Sequence, residues 1–373
     1  MSAPRLVVCG TTFGRLYLAA LDRPEPPAVL AGVLARGSAR SVAVAERYGV
    51  PLYRAVEELP DDVELACVAV RAAVIGGVGG ELVTALLERG VHVLQEHPVH
   101  HDELAGALRL ARRRGVLHRL NSHYPHLPAV RRFLAAAREL YRYGPPRFVD
   151  AATSVHVAFA FVDLLGRALP SLRPWAFADP APWPDALRGL TDASPPLRSV
   201  DGVIGGVPLT LRVHNQLDPS DPDNHAHLMH RITIGTDHGS LTLVNTHGPV
   251  VWSPRMHVTD YAQRDDLGAG DPHLALPSTG PLGDPHAAPY AEVIGTQWPD
   301  ALAATIDGFA TAARAGEDPL RLGQYHLTVT RIWQDLTSRL GQPEIVRSAP
   351  PHPLTTADLE PLGDGQQVNV TVS

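Results

Sequence analysis

Apolar and polar positions follow two rhythms through the first third of the chain. Mostly apolar runs, broken only by Glu64, His92, His118, Arg119 and Asn121, fall at residues 6–9, 28–34, 63–70, 91–94 and 116–121. Between them apolar residues recur at helical spacing, from Phe13 through Leu16, Leu18 and Leu21, and then over 41–48, 80–89 and 102–114. Gly49, Gly90 and Gly115 close the last three of these, as helix C-termini favour. Mostly apolar strands alternating with helices predict a parallel, doubly wound sheet.

The rhythm changes after Asn121. A long amphipathic helix is predicted over 127–143, a strand over 149–158 and a helix over 161–169. A Pro- and Trp-rich stretch, 170–197, leads into strand-like segments at 199–204, 209–216, 227–236, 240–245 and 250–253. Together they predict an α+β unit with a mostly antiparallel, open sheet and helices on one face. Residues 260–297 are expected to form a long loop, followed by helices over 299–315 and 323–340. The domains expected are therefore a dinucleotide-binding Rossmann domain over 1–122, a substrate-binding and oligomerisation domain over 123–345, and a tail over 346–373.

The first strand, turn and helix carry the first chemical signal. A strand that breaks at Gly10 and restarts as a helix near Phe13 places free N–H groups where a pyrophosphate binds. The glycine fingerprint is degenerate, with Thr12 and Arg15 where glycines are usual and Gly14 one place early. The second strand ends in Arg36-Gly37-Ser38 with Arg40 beyond, and no carboxylate appears before Glu46. An acid there would take a ribose 2′-hydroxyl, whereas arginines accommodate a 2′-phosphate, so NADPH is the expected cofactor. Gly10, Thr11, Thr12, Phe13, Gly14, Arg15, Arg36, Gly37, Ser38 and Arg40 make up the first part of its expected contacts. Arg71, Glu96, His97 and Asn121, at or near later strand ends, complete them.

Composition narrows the rest. A net charge of −7 without a basic block argues against a nucleic-acid partner. No apolar run approaches the roughly 20 residues that span a bilayer, and the N-terminus leads directly into the first strand, so a cytoplasmic enzyme is expected. Cys9 and Cys67 both sit in predicted buried strands and read as core residues. The chain has no lysine, which excludes lysine as acid, base or Schiff-base former.

The layout resembles the glucose–fructose oxidoreductase (Gfo/Idh/MocA) family, and two departures narrow the resemblance. His97, in the segment QEHP, stands where that family carries the lysine of Glu-Lys-Pro. Ala160 stands where its sugar-oxidising members carry a histidine, three residues before Asp163. CGTTFGRLYLAAL from Cys9, AAVIGGVGG from Ala72, VLQEHPVHHDEL from Val93, NSHYPHLP from Asn121 and GPVVWSPR from Gly248 together resemble the thiazolinyl imine reductases of siderophore assembly lines. The resemblance implies NADPH-dependent reduction of a thiazolinyl imine to a thiazolidine, on an intermediate tethered to a nonribosomal peptide synthetase carrier domain. It also implies proton donation by His97 and Tyr124, and a cis His97–Pro98 bond.

Imine reduction needs a hydride at carbon and a proton at nitrogen. A histidine, with an ordinary pKa near ~6.5, is poised to supply the proton. The competing role for His97 is a positional hydrogen bond; for Tyr124 it is packing. Gly76, Gly77 and His101 join Tyr124 as expected substrate contacts, and residues 260–297 as a lid. His225, His227 and His230 are not expected to bind metal, since their spacing splits them between strand faces. Asp163 is read as structural. A homodimer through the open sheet face is expected, with Ile232, Ile234, Leu241 and Leu243 as its apolar surface. Two alternatives stand beside imine reduction: an NADP-dependent reductase of another small carbonyl or sugar-derived substrate, and a non-catalytic dinucleotide sensor.

Overall fold

The computed structural model describes residues 3–70, 78–221, 225–263 and 270–359. The first sheet is built from β1 (Arg5–Cys9), β2 (Val29–Leu34), β3 (Leu52–Tyr53), β4 (Leu65–Val68), β5 (His92–Glu96) and β6 (His118–Asn121). Every pairing is parallel, in the order β3-β2-β1-β4-β5-β6. Its crossovers are the helices α1 (Gly14–Leu21), α2 (Ala39–Tyr48), α3 (Val78–Glu88) and α4 (His101–Arg114). The strand order reverses direction beside β1, which opens a crevice at the carboxyl ends of β1 and β4. Among the described strands of this sheet, β3 alone is absent from the sequence pattern, its two residues being too few to register as a period.

A 3₁₀ turn (Tyr124–His126) leads to α5 (Pro128–Leu140) and the second sheet. That sheet contains β7 (Phe148–Ser154), β8 (Trp175–Phe177), β9 (Leu197–Ile204), β10 (Val207–His214), β12 (His230–Thr236), β13 (Gly239–Leu243), β14 (Val250–Pro254) and β15 (Gly280–Pro281). A separate two-residue β11 (Gln216–Leu217) pairs with β16 (Glu344–Ile345). The large sheet runs β15-β14-β13-β12-β7-β10-β9-β8 and is antiparallel except for β7–β10. The fold is therefore α/β followed by α+β, as the pattern predicts. Helix α6 (Ala158–Ala168) begins three residues before its expected start, directly after the turn that follows β7.

Three expectations change. Ile232, Ile234, Leu241 and Leu243 do not face outward: each is at most 1% exposed, packed in one core with Val130, Phe133, Leu134 and Ala137 of α5. Strand alternation puts Thr233 and Thr242 on the uncovered face instead, hydrogen-bonded at 3.0 Å, with Arg212 and Asp150 paired at 3.6 Å. That face is polar. The apolar positions identify which side of the sheet the helices cover, not a spare surface.

Residues 260–297 are also not all loop. They include β15 and a helical turn α8 (Tyr290–Glu292), which runs through a π-helical turn (Val293–Gln297) into α9 (Trp298–Arg314). Third, α9 packs on α1 and completes the first domain. Its Leu302, Ile306, Phe309 and Ala310 share a core with Leu6, Val8, Tyr17 and Leu18. Position in the chain had grouped it with the second domain. The helix α10 (Pro319–Leu340) packs on both α4 and α6, tying the two halves together, and a single turn α7 (Asp185–Arg188) lies in the Pro-rich stretch. Among the described residues, no helix is long and apolar enough to cross a membrane.

Candidate active site

The glycine turn is shaped for a phosphate. Gly10 has φ +91°, its N–H donates to the Leu34 carbonyl at 2.9 Å, and a Cβ there would lie 3.0 Å from the Ala69 oxygen. Gly14 opens α1 and lies close under Val8. Thr11 is buried, Phe13 half-buried, and Thr12 and Arg15 are exposed. No side chain caps α1, so its leading N–H groups and the positive end of its dipole are available to an anion.

The end of β2 gathers arginines. Arg36, Ser38 and Arg40 are exposed around Gly37, which has φ +84°. Ser38 caps α2, its Oγ accepting the Ser41 N–H at 3.3 Å. Arg54, just after β3, lays its guanidinium across the loop, with Nε 3.1 Å from where a Gly37 Cβ would sit. Among the described residues no carboxylate pairs with Arg36, Arg40 or Arg54. A doubly charged phosphate fits such a cradle better than a hydroxyl does.

The chemistry gathers where β5 and β6 end. His97 follows β5, and its bond to Pro98 is cis, as the resemblance implies. Its Nδ1 lies 2.8 Å from Glu96 Oε1 and 2.8 Å from the main-chain oxygen of Asn121. A carbonyl only accepts, so Nδ1 carries a hydrogen and Nε2 is the atom that gains and loses the working proton. Burial disfavours the imidazolium, but the hydrogen bond and charge of Glu96 outweigh it and raise the pKa above the usual value. Burial likewise opposes the Glu96 carboxylate, yet His97, His123 and Tyr17 hold its pKa below the usual value. Tyr17 donates its hydroxyl to Glu96 Oε2, and Asn121 Nδ2 donates to the same oxygen at 2.9 Å.

Tyr124, 5% exposed, meets His97 edge-on at 6.4 Å between ring centroids. His123 stacks on it at 4.3 Å and His230 abuts it at 5.1 Å. Phe159, at the start of α6, lies 4.8 Å from the His97 ring. Trp298, opening α9, faces both His123 and Tyr124 and donates its indole N–H to His247 at 3.1 Å. His123 lies 6.2 Å from Phe13 of the glycine turn, and both its ring nitrogens are buried without a hydrogen-bond partner, as is Asn121 Oδ1. Unpaired buried polar atoms call for a partner. A nicotinamide riboside, with its amide and hydroxyl groups, supplies both donors and acceptors.

His97, Tyr124, Glu96 and Asn121 thus come together, while other expected residues do not join them. His101 opens α4 and pairs at 3.1 Å with the exposed Asp102. Arg71, Gly76 and Gly77 lie outside the described residues. Gly80 sits in α3 pressed against the Glu103 side chain, a packing role. Asp163 is structural: Arg167 grips its carboxylate at 3.0 and 3.1 Å, and Tyr325 donates to it at 2.7 Å. His225 presents its nitrogens to the carbonyls of Asp221 and Gln216, and His230 to Thr246 and Val157. Sequence reasoning missed Tyr17, Arg54, His123, Phe159 and Trp298. A hydroxyl on the buried face of α1 was the one available signal, since such a group needs a partner.

Residues 4–122 match the profile of the Gfo/Idh/MocA oxidoreductase family with an NAD-binding Rossmann fold, and residues 145–253 match that of the C-terminal part of Irp3-like thiazolinyl imine reductases. The chain is thus an NAD(P)-dependent oxidoreductase with a Rossmann domain of the Gfo/Idh/MocA type followed by an Irp3-like segment. Similar folds are found in KijD10, a 3-ketoreductase from Actinomadura kijaniata solved with TDP-benzene and NADP. It is 19% identical, with 92% of this chain and 99% of that one covered and a TM-score of 0.64. The UDP-N-acetylglucosamine 3-dehydrogenase GnnA from Acidithiobacillus ferrooxidans is 16% identical, covering 90% and 96%, with a TM-score of 0.61. At such identities the likeness concerns the fold. No curated protein matches the chain in sequence.

Proposed function

We propose that this oxidoreductase uses NADPH to reduce a thiazolinyl imine to a thiazolidine, with the substrate carried as a thioester on an assembly-line carrier domain. The observation that carries the reading is the Irp3-like match over residues 145–253. The geometry around His97 supports it. When bound, NADPH supplies the hydride to the imine carbon. His97 Nε2–H, with Tyr124 beside it, gives a proton to the imine nitrogen, so C=N becomes CH–NH and His97 is left neutral until water reprotonates it. Trp298, Phe159 and His123 wall the site and favour a flat aryl-thiazoline. The segment from 270 to 297, with its exposed Leu276, Tyr290 and Ile294, acts as the cover.

Selection of NADPH over NADH is assigned to Arg36, Ser38 and Arg40, with Arg54 added from β3. The reading is tested by stopped-flow oxidation of NADPH with a thiazoline-imine and, separately, with simple carbonyl compounds. Turnover with the imine alone is expected. His97→Ala is expected to lower kcat by about 10²-fold, and Tyr124→Phe by less. No NADPH oxidation with the imine refutes the substrate; undiminished turnover in both variants refutes the acids.

A further inference from the structure

His97 has a fixed inner nitrogen and a working outer one, and the groups around it determine how firmly the outer proton is held. Five elements bring titratable groups toward it. β5 brings Glu96, the 3₁₀ turn after β6 brings His123 and Tyr124, α6 brings Asp163, β12 brings His230 and α10 brings His326. Burial keeps the three surrounding histidines neutral, pushed down to about 4 for His123, about 3 for His230 and about 4 for His326. The Asp163 carboxylate also raises the His97 pKa, but it is paired with Arg167 at 3.0 Å. Among the described residues Glu96 is the one carboxylate at hydrogen-bond distance from His97.

Glu96 in turn is not free to turn away. Its Oε1 faces His97, while its Oε2 is held by Asn121 and by the hydroxyl of Tyr17, a residue with no exposed surface on the core face of α1. The second oxygen is thereby fixed from the first domain's own core, and the first is left to the imidazole. Asn121 acts twice, since its side chain holds Glu96 and its main-chain oxygen holds His97. This is a counter-ion clamped on both sides, built on rigid strand ends and one helix.

We infer that Glu96 and Tyr17 are positioning residues that commit His97 to donating, rather than accepting, a proton at the reacting atom. The inference rests on the reading of His97 as the acid, and it explains how a histidine serves in reduction. A carboxylate on the inner nitrogen would strengthen a base as well; what favours donation is that Glu96 keeps the proton on His97 Nε2 to higher pH before substrate arrives. An acid awaiting an imine nitrogen gains a proton that is present when substrate arrives. Tyr17 moderates the arrangement: by donating to Glu96 it draws off part of the charge that would otherwise bind the proton too tightly for release.

The test uses the whole protein with histidine ring nitrogens isotopically labelled, the His97 signal being assigned by its loss in His97→Ala. Its titration midpoint is followed by NMR without substrate, so the outcome does not depend on the imine being right. Glu96→Gln is expected to lower the midpoint by about one to three pH units, since an opposite charge at hydrogen-bond distance has been removed. Tyr17→Phe is expected to raise it by a smaller step, because the carboxylate keeps its charge and loses a competing donor. A purely structural role moves neither midpoint. If Glu96→Gln does not fold, as judged by circular dichroism, Glu96→Asp retracts the same charge and is expected to lower the midpoint by a smaller step. An unchanged midpoint in the Glu96 variant, or an unchanged or lowered one in Tyr17→Phe, overturns the inference. In turnover assays the alkaline limb of kcat follows the same shifts; a limb that does not follow them, with the NMR shifts intact, refutes His97 as the acid and leaves the clamp standing.

Discussion

Replacing Gly10 by alanine separates the two demands placed on the glycine turn. The backbone there has φ +91°, and an added Cβ would lie 3.0 Å from the Ala69 oxygen and 3.1 Å from Val70 Cγ2. Left-handed backbone costs a residue with a Cβ about 1–2 kcal/mol, and the tight contacts with backbone and a buried side chain add about 1 kcal/mol more. Gly49, at the end of α2, is the matched control: φ is +62° and nothing lies within 4 Å of its missing Cβ. Gly49→Ala is therefore expected to lose about 1 kcal/mol in urea unfolding and to keep its NADPH affinity. Gly10→Ala is expected to lose about 2–3 kcal/mol. It should also weaken NADPH at least about tenfold, because the turn that presents α1's N–H groups must shift. Both quantities come from urea melts and fluorescence titration of the same preparations. Wild-type NADPH affinity in Gly10→Ala would refute the placement of the pyrophosphate, whatever the stability.

Further predictions concern charge and assembly. Arg54→Ala and Arg36→Asp should each weaken NADPH about tenfold or more and leave NADH within about twofold; equal losses for the two cofactors in titration calorimetry would remove the 2′-phosphate assignment. Asp163→Asn should destabilise the protein by about 3 kcal/mol at pH 7, because Arg167 and Tyr325 lose a buried carboxylate. The charges of Arg167 and the hydroxyl of Tyr325 outweigh burial and depress the Asp163 pKa, so its stabilisation is complete above the unfolded value near ~3.9 and lost as pH falls through the folded one. Urea midpoints of variant and wild type should therefore converge only in strong acid, and a gap that closes already at pH 5 would contradict the ion pair. The homodimer expected from the sequence, its interface no longer assigned to Ile232, Ile234, Leu241 and Leu243, should sediment at twice the 40.0 kDa chain mass; a particle of single-chain mass at micromolar concentration refutes it.

The parallel sheet was legible because buried strands and amphipathic helices leave different periods in the sequence, and β1, the Gly10 turn and α1 follow them closely. His97 and Tyr124 were legible as candidates through the resemblance of the QEHP and NSHYPHLP segments, and each follows a strand end, where such folds bind ligands. What periodicity cannot carry is the identity of the neighbour. Ile232 and Leu241 alternate as a one-faced sheet requires, but alternation says only that one side is apolar, not whether α5 or another chain covers it. Arg54 reaches the Gly37 loop through a two-residue strand, a through-space approach with no sequence period. Tyr17 reads as one more apolar position of α1 until its hydroxyl is seen to reach Glu96, a residue distant in sequence. The second half's longer strands were found and the short β8, β11, β15 and β16 were not; the parallel β7–β10 pairing depends on the long crossover between them, which spacing alone does not orient.

The placement of α9 has a consequence for how the chain is made. The six strands of the first sheet and their crossovers leave the ribosome early, but the helix that covers Leu6, Val8 and Leu18 is synthesised only after the whole second sheet. Until then the nascent first domain carries an open apolar groove over α1, the kind of surface that chaperones hold and that aggregates when left alone. A fragment ending at β6 should therefore be poorly soluble. A circular permutant that starts with α9 would deliver the cover first and shorten the wait.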